Sequence, residues 1–224
     1  PAEDPEKDRA AFRCGELVMD LVRSDTRPSQ FVTRASIENA IAGIAGSGGS
    51  TNGVLHLLAV AHQFGVPLTI DEFGEIADRT PIVADMRPGG RYTAADLYDA
   101  GGVGLIAREL LKGGKIDGTV RNVDGRTTAE IAAAAVAGDG QKVVLPIEAP
   151  LKPTGGLAIL RGTLAPEGCV VKLAGHERRL RCSDVVRLGP VVDEVVQLLG
   201  AVLRRRDELE ETAVTAIKHG EPVR

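Results

Sequence analysis

Apolar positions recur at helical spacing along residues 5–24, at Ala11, Phe12, Leu17, Val18, Leu21 and Val22, until Arg27-Pro28-Ser29 breaks the pattern. Thr33 reads as the N-cap of a second helix whose buried face is Ile37, Ala40, Ile41 and Ile44. Glycines from Gly46 to Gly49 close it. Ser50 or Thr51 then opens a third helix that runs to Phe64 and stops at Gly65, a natural residue for the position after a helix end. With only a glycine turn between them, these two helices should form a tight hairpin or bend.

Two capping boxes follow. Thr69-Ile70-Asp71-Glu72 opens a short helix through Ile76, and Thr93-Ala94-Ala95-Asp96 opens another through Tyr98, with Asp in the place usually held by Glu or Gln. Pro81, Pro88, Gly89 and Gly90 mark an irregular connection between them. Val103, Ile106, Ala107, Leu110 and Leu111 form one face of a further helix ended by Gly113-Gly114. Thr119 to Val123 alternates like a short strand, with a turn at Asp124-Gly125. Thr127 or Thr128 caps an alanine-rich helix reaching Ala137, and Gly138-Asp139-Gly140 reads as a boundary. Beyond it the chain becomes extended, with Val143 to Leu145 and Pro146, Pro150 and Pro153. Leu157–Gly162 and Gly168–Leu173 read as two strands. Residues 185–218 return to a helical pattern carried by Val191, Val192, Val195, Val196, Leu199, Val202, Leu203 and Leu209.

Composition narrows the class. The 224 residues are 43% hydrophobic and 26% charged but only 3% aromatic, with no Trp, so the core must be built from Ala, Val, Leu and Ile. A net charge of −4 provides no basic field for nucleic acid. Arg204-Arg205-Arg206, followed by Asp207, Glu208, Glu210 and Glu211, reads as a solvated helix face. No apolar run approaches membrane-spanning length and no secretory signal is visible, so a cytoplasmic protein is expected. The first residue is Pro, which suggests processing or an incomplete chain. Cys14, Cys169 and Cys182 are far apart and form no CxxC pair, so each reads as a buried or surface thiol rather than part of a disulfide framework or zinc site.

The stretch richest in chemistry is Gly48-Gly49-Ser50-Thr51-Asn52-Gly53 leading into Val54-Leu55-His56-Leu57-Leu58-Ala59-Val60-Ala61. A glycine and hydroxyl turn at a helix N-terminus presents backbone N–H groups at the positive end of the helix dipole, where a carboxylate or phosphate can bind. Gly49, Ser50, Thr51 and Asn52 are therefore the candidate substrate contacts. The competing reading is an N-cap plus a glycine hinge between packed helices. His56 and His62 do not share a helix face, so a metal pair is not expected, and His56 reads as a buried or boundary residue. Glu38-Asn39 in mid-helix either orients the glycine turn or is solvated. Thr154-Gly155-Gly156 either borders a cleft or is a plain turn into a strand. His176 and Glu177 read as a solvated loop.

The motifs run in an order that resembles the dihydroxy-acid and sugar-acid dehydratase family. They are Thr33 with Ile37-Glu38-Asn39-Ala40-Ile41, the stretch 48–61, and Gly65-Val66-Pro67-Leu68 with Asp71 and Phe73. Next come Pro88 with Gly90-Arg91-Tyr92, Asp96-Leu97 with Ala100-Gly101-Gly102-Val103, and Thr119 with Gly125-Arg126-Thr127. The last is Pro150 to Leu157, leading through Arg161-Gly162 into residues 164–177. The form most like the branched-chain amino-acid pathway member is carried by residues 54–61 and 164–172. Sugar-acid and 6-phosphogluconate dehydratases are the alternatives. The resemblance implies a hydro-lyase that converts a 2,3-dihydroxy acid to a 2-keto acid. It implies an iron–sulfur cluster acting as Lewis acid, a magnesium ion and a homodimer.

The resemblance also implies that the family's cluster cysteines, magnesium ligands and serine base lie outside the matched stretch. No catalytic residue and no metal ligand is therefore carried onto this chain, and alone it is expected to be inactive. The expected architecture is α/β. An α-rich part of the catalytic domain spans 1–140, the first strands of a swivelling β-barrel span 141–178, and a helical tail unlike the family spans 179–224. An altered reading frame, a fusion or a natural variant would each explain that tail. A rival reading is a non-catalytic module that uses the 191–217 face for self-association.

Overall fold

The structure is a computed structural model, and it describes residues 4–163 and 165–173, all within one unit of the chain. The reading of 179–224 as a divergent helical tail, together with Cys182, His176 and Glu177, lies outside the described residues.

Local signals set most of the helix starts. Helix α1 spans Pro5–Arg23, capped by Asp4, whose side chain accepts the Glu6 N–H. Helix α2 spans Arg34–Gly46, and Thr33 forms a reciprocal box with Ser36. Helix α3 covers Asn52–Gln63. Helices α4 (Ile70–Asp78), α5 (Ala94–Ala100) and α7 (Thr128–Ala134) each begin with a threonine box, through Thr69 and Glu72, Thr93 and Asp96, and Thr127 and Glu130. Helix α6 (Val103–Lys112) follows Gly101 and Gly102, both at positive φ. Strands β1 (Leu157–Gly162) and β2 (Ala165–Lys172) pair antiparallel, Leu157 opposite Lys172 and Leu160 opposite Cys169. A helix-rich body with one two-stranded antiparallel sheet agrees with the mixed α/β expectation.

Two apolar clusters hold the elements together. The first joins Ile37 and Ile41 of α2, Val54 and Ala61 of α3, Phe73 and Ile76 of α4 and Leu157 of β1. The second joins Val83, Ala84, Leu105, Ile106, Leu110 and Val144. Ile41, Phe73 and Val54 are wholly buried. Aromatics are few, so apart from Phe73 aliphatic side chains fill both clusters.

A further feature is a contact made by the chain beyond Gly138–Gly140. Residues 143–152 run back along 82–85, with Asp85 N–H on the Val143 carbonyl and the Ile82 N–H on the Lys152 carbonyl, and this places Val144 in the second cluster. Three expectations need correction. The strand expected at 119–123 reduces to one bridge between Arg121 and Thr127, because no second strand lies beside it among the described residues. Helix α7 ends at Ala134 rather than Ala137. Gly138 then crosses so close to Asp99 and Ala100 that its missing side chain makes room for their backbone. Helix α1 forms where expected but buries none of its residues, leaving Phe12, Val18 and Val22 exposed. Among the described residues, no helix is long and apolar enough to cross a membrane.

Candidate functional site

The glycine turn is a helix stop followed by a helix start. Ser47 caps α2, and Gly48 takes the left-handed conformation at φ 62°. The Gly49 N–H reaches back to the Ile44 carbonyl at 2.8 Å and the Gly48 N–H to the Ala45 carbonyl at 3.2 Å. This pair of bonds is the Schellman arrangement, which needs a residue without a Cβ penalty at Gly48. Gly49 and Gly53 serve a different end. A Cβ on Gly53 would stand 2.7 Å from Ile44 Cδ1, and one on Gly49 would stand 3.0 Å from Ile44 Cγ2. The Ile44 side chain thus lies against both glycines, and the two helices close on it.

The start of α3 is capped by Ser50 rather than Thr51. The Ser50 hydroxyl accepts the Asn52 N–H at 3.2 Å, while Thr51 makes no side-chain cap bond. The Gly53 N–H donates to the Ser50 carbonyl and the Val54 N–H to the Thr51 carbonyl. Four of the turn's six N–H groups, those of Gly48, Gly49, Asn52 and Gly53, are therefore engaged. Those of Ser50 and Thr51 remain open among the described residues. The anion-binding capacity read from sequence narrows to two N–H groups at the positive end of α3.

Gly48, Gly49 and Ser50 border a cleft of about 810 Å³, whereas Thr51 and Asn52 are not part of its lining. Ala40 and Ile44 of α2 line this cleft, as do Val103, Ile106 and Leu110 of α6, while Ile44 also packs against the first cluster and Ile106 and Leu110 belong to the second. The opposite wall is the 120–123 segment. Asn39 ties it to α2: its side-chain N–H donates to the Asp117 carbonyl at 2.8 Å and its carbonyl accepts the Asp117 N–H at 2.7 Å. The Asp117 carboxylate in turn accepts from the Thr119 hydroxyl and N–H, which pull its pKa below the usual carboxylate value.

The remaining mouth is the 86–92 loop. Asp85, almost wholly buried, holds it by accepting the Arg91 backbone N–H at 3.0 Å and pairing with the Arg91 guanidinium at 2.6 Å. Sequence reading missed both Asp85 and the Asn39–Asp117 clamp. The Pro88-Gly89-Gly90 run was the available signal for the first. A clamp across 78 residues leaves no local trace.

Other candidates fall elsewhere. Glu38 pairs with Arg34 at 2.6 Å, and Arg34 also reaches Glu72, so Glu38 neither orients the turn nor lies free in solvent. His56 is exposed, against the expectation of a buried or boundary residue, and His62 is also exposed. Gly155 packs its backbone on the Ala77 carbonyl of α4, so residues 154–156 form a close-packed turn rather than a cleft border. Cys14 and Cys169 are free and exposed. No group of three His, Cys, Asp or Glu side chains able to hold a metal ion occurs among the described residues.

Residues 1–131 match the family model described as dihydroxy-acid/6-phosphogluconate dehydratase N-terminal, and residues 142–222 match its C-terminal counterpart. The chain belongs to the dihydroxy-acid/6-phosphogluconate dehydratase family. A dihydroxy-acid dehydratase of Koribacter versatilis is 54% identical over 178 residues, covering 80% of this chain and 31% of that protein. One of Thermus thermophilus is 50% identical over 179 residues, 80% of this chain and 32% of its own length. Dihydroxy-acid dehydratase 3 of Bordetella bronchiseptica is 41% identical over 224 residues, 98% of this chain and 38% of its own. The chain thus spans about a third of the length of these dehydratases. The C-terminal family match takes in residues 179–222, the stretch that the sequence pattern sets apart from the family, and the Bordetella alignment covers nearly the whole chain.

Proposed function

We propose that this chain serves a dehydratase that removes water from a 2,3-dihydroxy carboxylic acid to give a 2-keto acid, in the synthesis of the branched-chain amino acids. The observation that carries this reading is the double family match, together with relatives named dihydroxy-acid dehydratase at 41–54% identity. The family name also covers 6-phosphogluconate dehydratase, but the high-identity relatives carry the dihydroxy-acid name.

The contribution of these residues to the reaction is binding. The Ser50 and Thr51 N–H groups, at the positive end of a 12-residue helix, hold the acid's carboxylate. The Schellman bonds and the Ile44 contact keep those groups in place before the acid arrives, so little ordering is needed on binding. In this reading β1 and β2 begin the swivelling barrel of the family, and the protein works as a cytoplasmic homodimer.

Loss of hydroxide needs a Lewis acid, which the iron–sulfur cluster and magnesium ion implied by the family resemblance would supply. The described residues do not fit either group: they bring together no metal-binding set, and Cys14 and Cys169 sit on separate, exposed elements. No step is therefore assigned through them, and the chain alone is inactive in this account.

A graft tests the binding role. Residues 1–173 of this chain would replace the matching stretch of the Koribacter dehydratase, and dehydration of 2,3-dihydroxy-3-methylbutanoate would be followed. The graft is expected to be active. Ser50→Pro removes one open N–H and should raise KM about tenfold, the worth of one hydrogen bond to a charged group. Unchanged KM in a graft that stays active would refute the carboxylate role. A graft that folds but turns over only 6-phosphogluconate would favour the sugar-acid alternative.

A further inference from the structure

We infer that the cleft beside the glycine turn is a docking seat for an apolar polypeptide segment bearing carboxylates. The size of the cleft is the first reason. Its volume is about 810 Å³. A dihydroxy acid of five carbons fills on the order of 200 Å³, scaled from the ~30 Å³ a water takes in the liquid. Substrate held at Ser50 would leave most of this space empty.

The walls give the second reason. Ile44, Leu97, Ile106 and Leu110 line the interior, and Val103 and Val123 at its edges are 72% and 48% exposed. Ile106 and Leu110 also belong to the second cluster, so the apolar surface that an occupant would cover lies at the rim, on Val103 and Val123. Both walls are also held in place, one by Asn39 on Asp117 and the mouth by Asp85 on Arg91, so the cleft is formed before anything enters it.

Charge supplies the third reason and the chemistry of the occupant. The chain has 31 acidic and 27 basic residues, yet the lining includes Arg87, Arg121 and Lys172 and no carboxylate. The Arg121 guanidinium is steadied by the Gly125 carbonyl and that of Arg87 by the Arg91 carbonyl. An apolar trough with cations at its edge complements an apolar segment with Asp or Glu at its flanks. Polypeptide is favoured over a free aliphatic anion because the relatives carry roughly twice as much chain again outside the matched stretch, which is 31% of the Koribacter protein.

The test measures binding and needs no turnover, so its failure is distinct from failure of the dehydratase reading. The purified 224-residue chain is titrated, by fluorescence anisotropy, with overlapping labelled peptides that tile the Koribacter dehydratase outside its matched stretch. Competition with 2,3-dihydroxy-3-methylbutanoate and with decanoate runs in parallel. Val123→Glu and Arg121→Glu are both at exposed positions, and an unchanged urea midpoint confirms that each variant folds. The inference predicts saturable binding of an acidic, apolar peptide, weakened about tenfold or more by either variant and by added salt. Three outcomes overturn it. Either no peptide binds, or binding ignores both variants, or a small acid alone binds in a variant-sensitive way, which would make the cleft a small-molecule pocket.

Discussion

Removing the Asn39 amide should loosen the wall that the cleft depends on. In Asn39→Ala, two hydrogen bonds of 2.8 and 2.7 Å to the Asp117 backbone are lost. Each such bond contributes about 0.5–1.5 kcal/mol, and water can replace part of both because Asp117 is exposed, so a loss of about 1–2 kcal/mol is expected. For a domain of this size that corresponds to a fall of roughly 2–8 °C in the thermal midpoint.

Asn39→Asp is the sharper probe. A carboxylate still accepts the Asp117 N–H but faces the Asp117 carbonyl with no donor, so this variant should be no more stable than the alanine at neutral pH. It should recover as the pH is lowered and the new carboxyl gains a proton to donate. Hydrogen exchange reads the same event locally: the Asp117 and Thr119 amides should exchange faster in Asn39→Ala, with the Phe73 amide unchanged. A thermal midpoint equal to the parent's, or an Asn39→Asp variant as stable as the parent at neutral pH, would refute the clamp.

Other consequences follow from burial, backbone and charge. Phe73→Ala empties a wholly buried site between α2, α3 and β1 and should cost about 3–5 kcal/mol in urea unfolding; a loss under about 1 kcal/mol would contradict the first cluster as the core. Gly48→Ala places a Cβ at φ 62° and should cost about 1–2 kcal/mol, with Gly48→Asn milder, whereas equal stability of all three would contradict the Schellman turn. Stability should also fall in acid. Glu72, Asp96 and Glu130 are held below their ordinary values of 4.5, 3.8 and 4.5, first by the backbone N–H and then by the hydroxyl of Thr69, Thr93 and Thr127. Carboxylates lowered in the folded state make the unfolded state bind protons more readily. Their contribution is complete above the ordinary values and is lost as pH falls below them. The urea midpoint should be level at neutral pH and decline in that acid range, less steeply in Thr127→Val; a midpoint that rises on acidification would contradict the three boxes.

Much of this was legible because it is local. Thr69 with Glu72, Thr93 with Asp96 and Thr127 with Glu130 lie three residues apart, so a box can be read without knowing the fold. The turn at 48–53 is legible in the sequence, but which of its N–H groups are engaged is not. A helix ending in Ser47-Gly48-Gly49 uses its own N–H groups to finish that helix, and this competition between helix termination and ligand binding left only Ser50 and Thr51 open. Helical spacing identified the apolar faces of α2 and α6 but not how each divides. Ile37 and Ile41 enter the core while Ala40, on the same face, lines the cleft and Ile44 touches both, an arrangement decided by which neighbours arrive. The contacts that shape the cleft were not readable at all. Asn39 meets Asp117 only after α2 and α6 have packed, and buried Asp85 finds Arg91 only once the 86–92 loop has closed.

The central claim is that these residues contribute binding surface to a dihydroxy-acid dehydratase but not its metal chemistry. The most direct test is to purify the 224-residue chain anaerobically, attempt iron–sulfur reconstitution, add magnesium, and assay 2-keto acid formation from 2,3-dihydroxy-3-methylbutanoate. The account predicts no product above the protein-free blank and no cluster absorbance retained after desalting. Sustained turnover by this chain alone, with retained cluster, would contradict it.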